Sequence, residues 1–285
     1  MTAIARAHSA DPNPTRPWLT AGTFLTALLV AAVYVGQALA APASIGAEAL
    51  ARLQGKTILL AGATGKNGHH VLEQLHALGL DVRAMSRDVE DAKEEFGAQY
   101  NWVEADVTKP ETLAGAMENV DIVVSAVATA MPFGGNRSEK VDYEGTVNLS
   151  RAAKAAGATR FVIITSSSSG VKDHFLNTIG GNVLIWKGKA EQVLVDSGLE
   201  YVVVGPAGID DSPGGEQAIA LIPRSEYQRG MVIGRDDLAT VVIAAAGHPD
   251  ATNRVFTATN KEGPASDAWL ASFRSLPTEL NLPTE

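Results

Sequence analysis

The sequence has 285 residues, 46% of them hydrophobic, which is enough to bury the core of one large α/β domain. Its formal charge of -9 excludes the basic face that a nucleic-acid partner requires, so no nucleic acid is expected to bind. The absence of cysteine excludes disulfides, thiolate nucleophiles and zinc–thiolate sites. The histidines show no metal-ligand spacing, and no metal site is predicted.

The chain begins with a segment, residues 1–41, that is predicted to be an export signal or a membrane anchor. Residues 18–41 carry no charge, and about 20 apolar residues can span a bilayer as a helix. The segment ends in Ala38, Leu39 and Ala40, a pattern typical of a signal-peptidase site. We therefore expect a membrane-associated or exported protein, with a membrane as partner unless the segment is cleaved. A buried globular helix is the third alternative.

The central pattern follows a linker predicted at 42–55. An apolar strand at 56–61 runs directly into G-x-x-G-x-x-G at 62–68, and apolar residues at helical spacing continue to Leu78. This order predicts a strand, a glycine turn and a helix. Glycines allow an anion to approach the backbone, and the free amides of the helix N-terminus point at it. Because any tight strand-to-helix connection uses glycine, the spacing alone does not establish a phosphate site.

Strand-like and helix-like segments alternate through the rest of the chain. This alternation predicts an α/β fold of the Rossmann type, a doubly wound parallel sheet in a single domain, preceded by the N-terminal apolar helix. The domain is expected at 56–262, with a C-terminal helix and tail at 263–285. In order, the predicted segments are strand 56–61, helix 66–79, strand 81–86, helix 89–96, strand 100–105, helix 109–118, strand 121–128, helix 141–156, strand 160–165, helix 183–197, strand 201–204, helix 235–246 and strand 255–258.

The end of the second strand discriminates between nicotinamide cofactors. An acidic residue there would bind the ribose hydroxyls of NAD and repel the 2′-phosphate of NADP. The sequence instead has Ser86 and Arg87, a hydroxyl and a guanidinium that can hold this phosphate. We therefore predict NADP as the cofactor, with NAD as the alternative. A solvated surface arginine beside Asp88 is the competing interpretation.

Asp106 follows the third predicted strand, where two interpretations are open. Its carboxylate could meet the edge of an adenine at the ligand side of the sheet. An aspartate before Thr108 and Pro110 is equally a residue that starts a helix.

Several motifs together resemble the atypical short-chain dehydrogenases/reductases, the NAD(P)-binding, NmrA-like family of bacteria and plant plastids. The resemblance covers roughly residues 56–260. Besides the glycine turn, it rests on Ser86-Arg87-Asp88, Asp106-Val107, Val141-Asp142-Tyr143-x-Gly145-x-x-Asn148, Trp186-Lys187-Gly188-Lys189-Ala190-Glu191, Ser197-Gly198-Leu199-x-Tyr201 and Ile233-Gly234-Arg235-Asp236-Asp237-Leu238-Ala239.

The resemblance implies a set of cofactor-binding residues. Arg87 would meet the 2′-phosphate, Asp106 and Val107 the adenine, and Ala126 with the two residues after it the nicotinamide side. Lys187 would hold the nicotinamide ribose. The residues around the pyrophosphate would be Gly62, Thr64, Gly65, Lys66, Asn67 and Gly68.

The sequence departs from this family at the proton donor. In active members a tyrosine four residues before the lysine gives a proton to the substrate carbonyl, and here that position is Val183. Ser166 falls where a substrate-positioning serine would lie, although a serine run is also ordinary turn chemistry. Lys187 and Ser166 are therefore the predicted catalytic residues. Tyr143 and His174 are conceivable replacement donors, but structural roles are the more common ones for such residues.

These observations predict an NAD(P)H-binding oxidoreductase that transfers hydride to a small carbonyl or quinone-like acceptor. A quinone would depend less on a protein acid than a carbonyl does. The alternative is a non-catalytic NADP(H)-binding sensor or assembly factor, and an isomerase or lyase ranks last. Loops at 129–140, 171–182 and 210–231 would shape the pocket for a small-molecule substrate. The third, with Arg224 and Arg229, could form a lid, or all three could be ordinary connections.

Overall fold

The computed structural model describes residues 45–129 and 137–280, and every structural statement concerns these residues. Contacts divide the chain into Met1–Ala40 and Ala41–Glu285, and all described residues belong to the second unit. The apolar segment predicted at 18–41 lies outside them. Across the described ranges, none of the helices combines the length and apolar character needed to cross a bilayer.

Strands and helices alternate from β1 to β6, as the sequence pattern predicts, and β6 to β9 then follow one another without an α-helix between them. The strands are β1 Thr57–Ala61, β2 Asp81–Ser86, β3 Asn101–Glu104, β4 Ile122–Ser125, β5 Arg160–Ile164, β6 Glu200–Pro206, β7 Gly208–Asp210, β8 Gln217–Ile222, β9 Val232–Gly234 and β10 Arg254–Pro264. The α-helices are α1 Ala47–Leu53, α2 Lys66–Ala77, α3 Val89–Phe96, α4 Leu113–Ala116, α5 Gly145–Ala155, α6 Phe175–Ile179, α7 Val183–Asp196 and α8 Arg235–Gly247.

The main sheet has the order β3-β2-β1-β4-β5-β6-β10-β8. All of its strands run parallel except β8, which pairs antiparallel with β10. The predicted Rossmann-type fold is confirmed. The strand order reverses between β1 and β4, and the crevice at their carboxyl ends is where ligands bind in such sheets.

The sheet buries side chains on both faces, as parallel strands do between helical layers. In β1, Ile58 and Leu60 join one hydrophobic cluster, whereas Leu59 and Ala61 join the other. The α8 helix is buried from Asp237 to Gly247 because α1 and α2 cover its outer side.

The edges of the predicted domain pack into the same core. In α1, within the predicted linker, Ala49 and Leu53 are fully buried, and a Cβ on Gly247 would lie 2.2 Å from the Ala49 carbonyl oxygen. Near the other end, a 3₁₀ helix at Ala268–Ser275 buries Trp269 and Phe273. The domain limits at 56 and 262 stay a prediction.

His248, which follows α8, is expected to make stability depend on pH. Burial lowers the pKa of His248 below its ordinary value, the largest of several effects. The unfolded chain therefore binds the proton more readily than the folded chain does. The neutral His248 ring thus contributes to the stability of the folded chain. This contribution is complete above about pH 6.5 and is lost as the pH falls through the folded pKa. The free energy of unfolding in urea should rise between about pH 5 and 7.

The matched variants for this pH series are His248→Asn and His76→Asn. The His248 ring accepts a hydrogen bond from the backbone N–H of Asp250 at 3.2 Å, and asparagine can keep such a contact. His248→Asn should flatten the pH dependence, whereas replacement of the exposed His76 should leave it unchanged. Parallel curves for wild type and His248→Asn would contradict the assignment.

Candidate functional site

The glycine turn lies at the carboxyl end of β1, beside the segment that follows β4. Gly62 has φ +82°, and a Cβ there would lie 2.8 Å from the carbonyl carbon and oxygen of Ala126. A Cβ on Gly68 would lie only 2.0 Å from the Gly62 carbonyl oxygen. These two glycines are therefore required by close packing of backbone on backbone. Gly65 is different, because its Cβ would meet only the Gly62 oxygen, at 3.3 Å.

The N-terminus of α2 carries amides that no side chain caps. Gly65 is its N-cap, and the first turn contains no acidic residue. Thr64, Gly65 and Lys66 are exposed there, and Asn67 is partly exposed. Unsatisfied amides, the positive end of the helix dipole and an exposed lysine together suit an anion.

Residues at the start of α8 bind the first turns of α2 through their side chains. Arg235 donates from Nη1 to Asn67 Oδ1, and its Nε donates to Asp211 Oδ1 at 2.9 Å. Asp236 Oδ1 lies 2.6 Å from His70 Nδ1. Because its oxygen is engaged, the Asn67 side chain keeps its NH₂ group for another partner.

Asp237, also at the start of α8, binds two other segments of the chain. Its carboxylate accepts hydrogen bonds from the Gly215 amide at 2.8 Å and from Asn260 Nδ2 at 2.7 Å. The motif at 233–239 therefore joins α2, the connection after β7 and β10. This role was not foreseen from the sequence.

Arg87 is exposed at the end of β2, and no hydrogen bond or ion pair links it to any described residue. Its neighbours are engaged locally. The Ser86 hydroxyl donates to the Asp88 carbonyl at 2.6 Å, and the Asp88 carboxylate caps α3 by accepting from the Asp91 amide at 3.0 Å. The guanidinium is therefore available to an anion near the carboxyl end of β2.

Asp106 is used within its own turn. Its Oδ1 accepts from the Thr108 amide at 2.9 Å and from the Thr108 hydroxyl at 2.8 Å. Val107 is buried, and its carbonyl accepts from Asn148 Nδ2 at 2.8 Å. The bonds from Thr108 to Asp106 close a turn ahead of the 3₁₀ helix at Pro110–Thr112, whose N-cap is Lys109, so Asp106 does not cap that helix. The adenine contact stays a prediction.

The β4 end of the site contains a buried ion pair. Lys187 Nζ lies 2.7 Å from Asp142 Oδ1, and these side chains are 12% and 2% exposed. Asp142 lies on a π-helical turn at Glu139–Glu144, and its Oδ2 accepts from the Thr129 amide at 3.3 Å. Lys187 was predicted from its motif, but its partner was not.

The serine turn after β5 packs against β6. Ser166 accepts from the Ser168 amide at 3.2 Å, and a Cβ on Gly205 would lie 2.9 Å from the Ser166 carbonyl oxygen. Ser169 Oγ is buried and has no hydrogen-bond partner in the described part of the chain. Ser166 is thus partly exposed at the ligand edge, and its role in positioning a substrate stays a prediction.

The two candidate replacements for the missing tyrosine are engaged in local contacts. Tyr143 packs against Trp186, with ring centroids 5.7 Å apart, and lines a groove that reaches Lys154 at the far end of α5. His174 caps α6 by accepting from the Leu176 amide at 3.2 Å. Both side chains have structural roles.

Arg224, predicted in a lid, is part of a second buried ion pair. It makes two hydrogen bonds to Glu191 on α7, at 2.6 and 2.7 Å. Glu191 is fully buried and Arg224 is 10% exposed. The predicted loop at 210–231 also contains β8, so it is a structured connection bound to α7. Within the described ranges, no cluster of three or more His, Asp or Glu side chains could hold a metal ion.

Comparison with known proteins identifies the family. The profile of a family described as NAD(P)H-binding matches residues 62–249. The chain belongs to this NAD(P)H-binding family. The match spans the glycine turn, the ion pair on α7 and the whole of α8, so the predicted resemblance to atypical short-chain dehydrogenases/reductases is confirmed.

Three curated relatives illustrate the range of this family. Sanguinarine reductase of Eschscholzia californica is 30% identical over 80% of this chain and 97% of its own length. An uncharacterised chloroplastic protein of Arabidopsis thaliana is 30% identical over 71% of this chain and 69% of its own. The photosystem II assembly factor Ycf39 of Synechocystis is 30% identical over 61% of this chain and 51% of its own.

Solved structures show the same fold. A putative NAD-dependent epimerase/dehydratase from Bacillus halodurans superposes with a TM-score of 0.64 and 23% identity. The match covers 78% of this chain and 99% of that protein. At this identity the likeness shows the fold alone.

The predicted location is corrected by these comparisons. Residues 18–41 led us to expect a membrane-associated or exported protein, yet a relative that aligns over 71% of this chain is chloroplastic. The prediction of export or membrane association is therefore wrong. An apolar run of sufficient length indicates only that a segment can enter a bilayer, and it does not establish where a protein resides.

Proposed function

We propose that this protein is an NADPH-dependent reductase that transfers hydride to a small carbonyl or quinone-like acceptor. The observation that carries the proposal is the uncapped N-terminus of α2, which lies above a glycine turn at the point where the strand order reverses. When bound, NADPH supplies the hydride. The chain supplies the phosphate site, the orientation of the cofactor and the polar groups around the acceptor.

Gly65 supports pyrophosphate binding at this turn. Its φ of -82° suits any residue, and a Cβ would meet only one atom, at 3.3 Å. This approach to a backbone oxygen is tight, but it is much less severe than those at Gly62 and Gly68, so internal packing accounts for glycine here only in part. A ligand that approaches the backbone closely does account for it.

The free guanidinium of Arg87 supports NADP over NAD. Replacement of Arg87 by alanine should weaken NADPH binding about tenfold to a hundredfold, because a hydrogen bond to a charged group contributes about 1.5–3 kcal/mol. NADH binding should change less than about threefold, since NADH has no 2′-phosphate. Fluorescence titration of the full-length protein with each cofactor measures both effects.

Arg52→Ala is the matched control for this titration. Arg52 lies on α1, which packs against the end of α8 at Gly247, and its only ion pair with a described residue is an exposed one with Glu48 at 3.9 Å. Its removal changes the net charge equally but should leave both affinities unchanged. Equal affinity of Arg87→Ala and wild type for NADPH would rule out the proposed 2′-phosphate contact.

The side chains exposed in the loop after β5 favour an apolar acceptor. The short helix α6 lies at the carboxyl edge of the sheet, between β5 and α7, and it exposes Phe175 and Ile179 at 60% and 58%. An apolar acceptor could cover these side chains. The relative named as a sanguinarine reductase favours a reductase of this kind.

A non-catalytic sensor or assembly factor is the second candidate. Val183 lacks the proton of a phenol, and one relative is an assembly factor. Steady-state oxidation of NADPH with a panel of quinones and aldehydes separates the two. A sensor would bind NADPH but oxidise none of it.

A further inference from the structure

We propose that Asp142 is a positioning residue that holds the Lys187 ammonium as the proton donor in place of the missing tyrosine. This inference rests on the proposed reductase activity. It concerns a carboxylate to which the family resemblance assigns no role.

The ion pair is enclosed but leaves donors unused. A lysine ammonium has three N–H donors, and Lys187 uses one of them on Asp142 at 2.7 Å. No second acceptor for Lys187 is found among the described residues. Because the side chain is only 12% exposed, two N–H groups are largely withdrawn from water and can serve a ligand.

Asp142 connects this ammonium to the segment after β4. Its Oδ2 accepts from the Thr129 amide at 3.3 Å, and its carbonyl accepts from the Thr146 hydroxyl at 2.7 Å. Thr129 Oγ1 is buried without a hydrogen-bond partner among the described residues, so this hydroxyl is also available to a ligand. The π-helical turn that carries Asp142 is a rare conformation that is often found at functional sites.

The position of Val183 explains why Lys187 is the available donor. Residues four apart share a face of a helix, so Val183 and Lys187 lie one above the other on α7. Val183 packs toward Gly180, where a Cβ would lie 2.9 Å from Val183 Cγ1. Val183 thus packs against its neighbours but has no proton to donate. The polar group on this face of α7 is the Lys187 ammonium, one turn further along the helix.

Two neighbouring pairs of charged groups engage each other, and Glu144 on the same turn is exposed. Glu191, one turn beyond Lys187, is bound to Arg224, and Arg137 lies 3.4 Å from Glu139 near the π-helical turn. From α6, His174 presents a ring nitrogen that accepts a backbone hydrogen bond. Asp142 is therefore the carboxylate that holds Lys187.

Lys187 and Asp142 account for the proton that the reduction of a carbonyl requires. As hydride forms the new C–H bond, the carbonyl π electrons move to oxygen, which takes a proton from Lys187 Nζ. An alkylammonium is a much stronger acid than an alcohol, so this transfer is favourable. The neutral amine then regains a proton from water. The net change is carbonyl, NADPH and one proton to alcohol and NADP⁺.

The test uses full-length Asp142→Asn, Asp142→Glu and Lys187→Met. Asp142→Asn should lower kcat about a hundredfold with little change in KM, in the range of general acid catalysis, and Lys187→Met should lower it at least as much. Asp142→Glu should restore part of kcat, because it keeps a carboxylate that can hold the ammonium.

A second readout does not depend on activity. NMR spectra of isotope-labelled lysine in the cofactor-free protein should show the side-chain signal of Lys187 displaced in Asp142→Asn, because the 2.7 Å hydrogen bond to Asp142 is lost. Glu144→Gln, an exposed change on the same turn, should alter neither measurement.

The outcomes are distinguishable. An unchanged kcat in Asp142→Asn, or an unchanged signal of the Lys187 side chain, would overturn the role of Asp142 while the reductase proposal stands. Wild-type protein that binds NADPH but reduces no acceptor would overturn the reductase proposal, and the acid role with it.

Discussion

Replacement of Gly68 by alanine is expected to abolish tight NADPH binding and to destabilise the protein. The added Cβ would lie 2.0 Å from the Gly62 carbonyl oxygen and 2.8 Å from its carbon, which are backbone atoms that cannot rotate away. The first turn of α2 must therefore move off β1 and carry its amides with it. Overpacking of this kind costs about 1–3 kcal/mol or more, and urea denaturation should detect it.

Gly115→Ala is the matched control for Gly68→Ala. Gly115 lies in α4, and a Cβ there would meet no atom within 4 Å. Because alanine favours a helix over glycine by about 1 kcal/mol, the control should be neutral or stabilising. It should also bind NADPH as wild type does. If Gly68→Ala binds NADPH within threefold of wild type, this account of the turn is wrong.

Removal of the buried carboxylate in Glu191→Ala should have the largest effect on stability. Glu191 is fully buried, and its loss leaves the Arg224 guanidinium with only a 3.3 Å hydrogen bond to Thr165 Oγ1. An uncompensated buried charge costs about 3–5 kcal/mol. The free energy of unfolding in urea should fall by this amount, and the connection that contains β8 should become easier to cleave by protease.

Two further variants test the cause of this loss. The double variant Glu191→Leu with Arg224→Met should recover much of the stability, since apolar replacement of a whole buried pair is often neutral. Glu90→Ala, which breaks an exposed pair with Lys93 at 2.9 Å, should cost less than about 1 kcal/mol. A Glu191→Ala protein as stable as Glu90→Ala would refute the assignment.

Local patterns predicted most of the parallel sheet. The expected strand at 81–86 and helix at 89–96 match β2 and α3, because apolar spacing reports directly which side chains the sheet will bury. The predicted helix at 141–156 proved to be a π-helical turn followed by α5. Hydrophobic spacing does not distinguish an α-helical turn from a π-helical turn, which contains about one more residue.

The β8 strand was missed for a physical reason. It is an edge strand whose backbone partners all lie in β10, where Thr257 pairs with Ile222 and Lys261 with Ala218. Strand pairing between distant segments depends on register, and no local signal marks it. The same argument applies to α1, whose burial depends on contact with Gly247 in α8.

The cofactor turn was predictable because its residues are contiguous. The two ion pairs were not, since Asp142 and Lys187 lie 45 positions apart and Glu191 and Arg224 lie 33 apart. Lys187 was predicted from its motif, but nothing in the sequence indicated which residue would pair with it, or that Glu191 and Arg224 would meet. Only the approach of α7 to its neighbours buries them together.

The sequence by itself determined the alternating α/β order, the strand–turn–helix at the carboxyl end of β1 and the absence of a tyrosine four residues before Lys187. These features depend on residue type and spacing along a few turns of chain. The tertiary structure alone decided that α1 and β8 belong to the core, that Arg224 serves a buried carboxylate, and that Asp142 holds Lys187. Such contacts arise when distant segments exclude water together, because a charge in a dry interior requires a partner.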